Sequence, residues 1–339
     1  MPNNSTKIMF YMSLVGGIIL TISSNSWMGA WMGLEINLLS FIPIMTNNEN
    51  LFTTEASMKY FLIQALASSI LLFVILTSTI MEKYQLINKL SMHEEFMMIP
   101  LLLKSGVAPL HWWFPAVMEG MSWINCLILM TLQKISPMIL MSNIITSSIF
   151  MMSTILLSVL VGSLGGLNQI SLRKMLTYSS INHVGWLMAS LLISNNMWMI
   201  YFLIYSMLTT TIIFITNSKK ISLINQTFNL NNESTIKLLM FMSLLSLGGL
   251  PPFTGFLSKW MVIHFLVYNN LIIPTTMMII FSLITLYYYL RISYAAFMLN
   301  HLKPSWNFKS FNSGIMSSTL VTISIMGLTI MSLPISIYL

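Results

Sequence analysis

Long apolar runs follow one another along nearly the whole chain, separated by short polar connections, and this alternation constrains the fold more than any other feature. About 20 apolar residues in a helix cross a hydrocarbon core of roughly 30 Å. Eleven such runs can be placed in the 339 residues, at roughly 7–24, 26–45, 56–81, 95–111, 121–141, 143–165, 172–193, 196–216, 235–267, 272–298 and 313–335. Only 7% of the residues are charged, against about 25% in soluble domains, so the chain reads as an integral membrane protein. Lipid offers no partner to a backbone amide, which leaves helices as the form these runs can take. The expected fold class is all-α and polytopic, one membrane domain over residues 1–339.

Two of the runs carry their own interruptions. The fourth contains LLLKSGVAPLHWWFP, Leu101–Pro115, where a small residue pair and then Pro109 break an apolar stretch that holds Lys104. The ninth is too long for one straight helix and contains SLGGLPPFTGF, Ser246–Phe256, whose paired Gly and paired Pro predict two half-helices in one crossing. Five crossings separate the two interrupted helices, and an odd spacing places the second in inverted topology to the first. Broken helices at matching positions of inverted halves point to a transport site. The repeats would be about 1–141 and about 143–298, with an extra C-terminal helix at about 313–335.

Charges buried in the membrane sharpen that reading. Glu35 in WMGLEINLLSF, Lys104 in PLLLKSG, Lys134 in MTLQKISP and Lys259 in GFLSKWM all fall inside spans. Each would cost roughly 2.5–3.5 kcal/mol facing lipid, so the set must face an interior that pairs or hydrates it. Low dielectric favours a neutral amine and a nearby carboxylate favours the charged one, so a Glu–Lys pair that opens and closes is a protonation switch. Lys134 and Lys259 could pass a proton on through water. Static ion pairs that fix helix packing would also bury such charges. His111, just past the first break, and His183, among Ser179, Ser180 and Asn182, are candidate relays; an interfacial role for His111 and interhelical hydrogen bonding for His183 stand beside that reading. The Glu55 and Lys59 pair is expected at the start of the third helix, and Trp27, Trp198 and Trp306 suit interfacial belts.

Other chemistry finds little support. Cys126 is the single cysteine, so no intrachain disulfide or Cys-ligated cluster can form. GGLPPF lacks the GxxxxGK[ST] of a phosphate loop, no dinucleotide fingerprint occurs, and no helix pair offers two deep histidines for a haem. The net charge of +7 is scattered over connections without a basic face, which argues against a nucleic-acid partner. Those connection charges orient the chain: Lys7, Lys59, Arg173, Lys174, Lys219, Lys220, Lys303 and Lys309 fall on one side, and only Lys83 and Lys89 on the other. The amino terminus is therefore expected inside and the carboxyl terminus opposite. The 32 Met, with Ile, Asn and Ser abundant and only two Arg, fit an AT-rich organellar genome.

Five segments, in this order, carry a family likeness over essentially the whole chain: WMGLEIN, LLLKSGVAPLHWWFP, QKISP, GGLNQISLRKMLTYSSINHVGW and LSLGGLPPFTGFLSKW. They resemble the NADH dehydrogenase subunit 2 family, the antiporter-like membrane subunits of respiratory complex I encoded in animal mitochondrial DNA. The length fits the shortened animal form, without the first three helices of the bacterial subunit. The resemblance implies that Glu35 pairs with Lys104, the first channel lysine, that Lys134 lies on the central axis, and that Lys259 serves the second discontinuous helix. His183 falls in the family's polar segment. The resemblance also implies proton translocation driven by quinone reduction elsewhere. NADH, FMN, iron–sulfur clusters and ubiquinone would be handled by other subunits, and no cofactor by this chain. The partners would be neighbouring antiporter-like and other complex I membrane subunits and the bilayer, with no nucleic acid. The setting would be the mitochondrial inner membrane, with the amino terminus in the matrix and the carboxyl terminus facing the intermembrane space. A self-standing cation/proton antiporter, or a structural spacer with inert ion pairs, would use the same pattern differently.

Overall fold

Hydroxyl side chains inside the apolar runs find their partners within their own helices. Thr21 donates to the Ile18 carbonyl at 2.7 Å, Ser40 to Asn37 at 2.9 Å, Thr154 to Met151 at 2.9 Å and Ser190 to Leu187 at 2.7 Å. Polar residues can thus sit in a membrane helix without a neighbour to satisfy them. The computed structural model describes residues 4–46, 50–83, 90–145, 148–228 and 234–299, and among these there is helix and no strand beyond a single bridge between Ser171 and Leu223.

The chain forms two units, Met1–Thr154 and Ile155–Leu339. The first holds α1 (Asn4–Ser23), α2 (Trp27–Met45), α3 (Leu51–Lys83), α4 (Leu90–Ser105), α5 (Trp113–Gly120), α6 (Trp123–Met130), α7 (Leu132–Ser142) and the start of α8 (Ile149–Gly166). Ser26 caps α2 by accepting from the Gly29 amide at 3.2 Å. Small residues let α1 and α2 touch backbone to backbone, since a Cβ on Gly33 would come within 2.8 Å of the Thr21 amide nitrogen and 3.0 Å of the Gly17 carbonyl. Helix α3 packs on α2, α4 and α5, and α4 lies against α7.

The second unit holds the rest of α8, then α9 (Leu172–Leu191), α10 (Asn195–Lys219), α11 (Ile224–Phe228), α12 (Ser234–Gly248), α13 (Thr254–Tyr268) and α14 (Ile272–Tyr294), which ends in a π turn at Ala295–Leu299. Its centre is α9, buried along almost its whole length although it carries Ser179, Ser180, Asn182 and His183. In lipid a polar helix belongs inside and an apolar one outside. Accordingly Ile8, Met9 and Met12 of α1, Phe73 of α3 and Ile273 and Leu283 of α14 are exposed.

Among the described residues, seven helical stretches are long and apolar enough to cross a membrane, and the first ten expected spans each coincide with a helix or a pair of half-helices. The eleventh, at about 313–335, lies outside the described residues, as do Lys89, Lys303, Trp306 and Lys309. The structure departs from expectation at two places. The fifth span is interrupted at Thr131, whose hydroxyl bonds the Leu127 carbonyl at 2.7 Å, three residues before Lys134. Trp198 is not an interfacial anchor: it is buried at 3% exposure and packs on Phe202. The expected Glu55–Lys59 pair forms, exposed, at the start of α3.

Candidate functional site

The first helix break is built from its own sequence. After α4 ends at Ser105, Gly106 takes φ +72°, a left-handed conformation that favours glycine. The Gly106 amide bonds the Leu103 carbonyl at 3.3 Å and the Val107 amide bonds Leu102 at 3.1 Å, closing the helix in a Schellman-like cap. Trp113 then reaches back and donates its indole N–H to the Leu103 carbonyl at 3.1 Å. The HWWFP segment therefore gives a carbonyl of the cap a second donor and ties the far side of the break back to α4.

This geometry places Lys104 on the last turn of α4, 8% exposed, beside a small cavity that it shares with Leu34, Asn37, Tyr60, Gln64, Gln133 and Ser136. A continuous set of hydrogen bonds lines the cavity. The Tyr60 hydroxyl donates to Gln133 Oε1 at 3.4 Å, Gln133 Nε2 donates to Asn37 Oδ1 at 2.9 Å, and Asn37 Nδ2 donates to Ser136 Oγ at 3.4 Å. Gln64 Nε2 donates to the Lys104 carbonyl at 3.4 Å. Helices α2, α3, α4 and α7 thus each contribute a polar group.

The other sequence-derived residues of this unit fall around the same break. Glu35, half-buried on α2, makes no ion pair with Lys104 within 4 Å. Lys134, 2% exposed on α7, lies with its amine 5.0 Å from the centre of the Phe114 ring, a cation–π placement supplied again by HWWFP. His111 stays local: its Nδ1 lies 3.2 Å from the Pro109 carbonyl and its ring stacks on Trp112.

In the second unit, α12 ends at Gly248, and Gly249 takes φ +88°. Its amide bonds the Leu245 carbonyl at 3.1 Å and the Leu250 amide bonds the same carbonyl at 3.4 Å. Lys259 on α13, 5% exposed, folds back so that its Nζ donates to the Gly248 carbonyl at 2.9 Å. A Cβ on Gly255 would collide with the Ser246 carbonyl, so only glycine lets α13 start this close to α12. His183 lies deep in the same unit at 4% exposure, its Nδ1 2.9 Å from the Tyr201 hydroxyl and its ring beside Tyr205.

Several polar residues of these sites were not singled out in the sequence. Asn37, Tyr60, Gln64, Gln133 and Ser136 in the first unit, and the buried Tyr201, Tyr205, Tyr288 and Tyr289 in the second, are neutral, and neutral side chains are common in membrane helices. Asn37 two residues after Glu35 and Gln133 beside Lys134 carried the available signal, since amides inside apolar runs need partners. Lys237 is a further lysine of low exposure, at 7%, near the start of α12. Among the described residues no three His, Cys, Asp or Glu side chains converge as metal ligands would. What the arrangement offers is secluded amines beside helix breaks, with hydroxyls and amides of neighbouring helices around them.

Residues 24–286 match the family described as NADH:quinone oxidoreductase/Mrp antiporter, transmembrane, and residues 286–335 match the NADH dehydrogenase subunit 2 C-terminus. NADH-ubiquinone oxidoreductase chain 2 of Anopheles gambiae is 53% identical over 333 residues, covering 96% of each chain. The chain of the same name from Hylobates lar is 39% identical over 347 residues, covering 98% of each. Among solved structures, a chain of respiratory complex I from Thermus thermophilus superposes with a TM-score of 0.83 at 22% identity, over 98% of this chain and 79% of that one. A chain of the Mrp complex from Dietzia sp. gives 0.78 at 15%, over 96% and 75%. At those identities the structures show a shared fold, the antiporter-like one, while the sequence matches are close enough to assign kinship, and the chain belongs to the NADH-ubiquinone oxidoreductase chain 2 family.

Proposed function

We propose that this chain is a proton-translocating membrane subunit of the mitochondrial NADH:ubiquinone oxidoreductase, with the redox chemistry of NADH, FMN, iron–sulfur clusters and ubiquinone carried by other subunits. The observation that carries the reading is that Lys104, Lys134 and Lys259 are all buried at or beside helix interruptions of a family member. A lysine at such a site can hold or release a proton without leaving the membrane interior. Glu35 is the carboxylate that pairs with Lys104 in one state of the cycle, and Lys134 and Lys259 continue the path, with His111 and His183 as relays. The sequence is read as two inverted repeats, about 1–141 and about 143–298, with a C-terminal helix at about 313–335 appended. The connection charges support an amino terminus in the matrix and a carboxyl terminus facing the intermembrane space. Neighbouring antiporter-like subunits are the expected partners.

The names of the relatives favour the complex subunit over a self-standing antiporter. The deciding experiment replaces Lys104 by Met in the intact complex and measures protons pumped per electron passed to quinone. The reading expects pumping to fall while the complex still assembles; an unchanged ratio in assembled complex would sink it.

A further inference from the structure

The Lys104 amine makes no hydrogen bond, and no ion pair within 4 Å, to any described residue, although its side chain is more than nine-tenths buried. A buried cation in that condition needs a solvating group. The cavity beside it is about 10 Å³, room for about one water. All the other polar side chains that line this cavity are uncharged.

The hydrogen bonds of that lining leave acceptors free. The donors run in one direction, from Tyr60 to Gln133, from Gln133 to Asn37 and from Asn37 to Ser136. Each of the four oxygens in this series retains a lone pair, because an amide or hydroxyl oxygen accepts more than one bond. An ammonium offers three donors. A water held by the network can accept from Lys104 and donate to one of these oxygens.

We propose that Asn37, Tyr60, Gln133 and Ser136 form a neutral receiving site that solvates Lys104 through one water when the lysine is away from Glu35. The site gives the lysine a second partner of a different kind. Glu35 binds only the charged amine strongly, whereas water and amide oxygens tolerate either protonation state. Departure from Glu35 to this site is then the event that frees the lysine to lose its proton. Gln133 is the positioning residue, since it both accepts from Tyr60 and donates to Asn37, and removing it opens the series in the middle.

The inference rests on Lys104 as a proton carrier, and two variants in the intact complex separate the two ideas. Gln133→Leu keeps the size but removes both bonds, and proton pumping by assembled complex should fall about tenfold, the scale of one net hydrogen bond lost from a neutral network. Tyr60→Phe, which removes one donor, should reduce pumping less. Full pumping in Gln133→Leu alongside impaired pumping in Lys104→Met overturns the receiving site and leaves the function standing; full pumping in both overturns both. A wild-type structure of the intact complex, at a resolution that shows waters, decides the matter even if Gln133→Leu fails to assemble. A water about 3 Å from both Lys104 Nζ and an oxygen of the network supports the site, and a dry cavity overturns it.

Discussion

The two helix breaks use the same cap and treat their lysines differently. Both first half-helices end in a glycine of positive φ, Gly106 and Gly249, with Schellman-like bonds from the two residues that follow each helix. Lys104, however, stands on the helix before its break, and Lys259 on the helix after its break. Lys259 is held by the Gly248 carbonyl, an orphan acceptor at the negative end of α12. Lys104 has no such anchor, and Trp113 donates instead to the Leu103 carbonyl, two residues before Ser105, the counterpart of Gly248. The lesson is that a broken helix supplies two kinds of lysine site, one tethered to the break and one released from it.

The largest expected effect tests the break itself. Gly255→Val puts side-chain atoms into the Ser246 carbonyl, so α13 cannot seat on α12, and no assembled complex should be found on native gels. Next come the lysines. Lys104→Met and Lys259→Met should each lower proton pumping by roughly a hundredfold, the scale of a lost proton-transfer group. They should part company in stability. Lys259→Met leaves the Gly248 carbonyl without its donor and should cost about 1–3 kcal/mol, seen as earlier thermal loss of the subunit from the complex. Lys104→Met removes a buried cation that has no hydrogen-bond partner among the described residues, and should leave thermal behaviour unchanged or improved. Equal destabilisation by the two would erase the distinction.

Smaller effects sharpen the comparison. Gly106→Ala and Gly249→Ala each force a Cβ onto a left-handed residue, at about 1–2 kcal/mol. Gly249→Ala should be the worse of the two for pumping, since its Cβ would sit 3.2 Å from Lys259 Nζ and displace the tethered amine. Tyr201→Phe should be the mildest, about 1 kcal/mol for the lost His183 bond, with a change in the His183 ring signals in a labelled sample as the more sensitive readout.

Much of this molecule was legible in its residues. Run length and the rule that lipid leaves no backbone group unpaired fixed an all-α membrane chain, and Gly-Gly-Leu-Pro-Pro fixed an interruption in the ninth span. Lys104, Lys134 and Lys259 were marked as interior because their charge has a cost in lipid wherever the fold places them. The interruption at Thr131 left no such mark, because threonine sits in helices as readily as at their breaks. The tertiary structure alone decided who meets whom. That Glu35 stands off from Lys104 while Gln133, beside Lys134 in sequence, joins Asn37 of α2 depends on how α2, α3, α4 and α7 cross. So does the return of Lys259 across eleven residues to Gly248. Charge is a property of a residue and can be read one letter at a time, whereas hydrogen-bond partnership is a property of packing, which exists only once the helices have met.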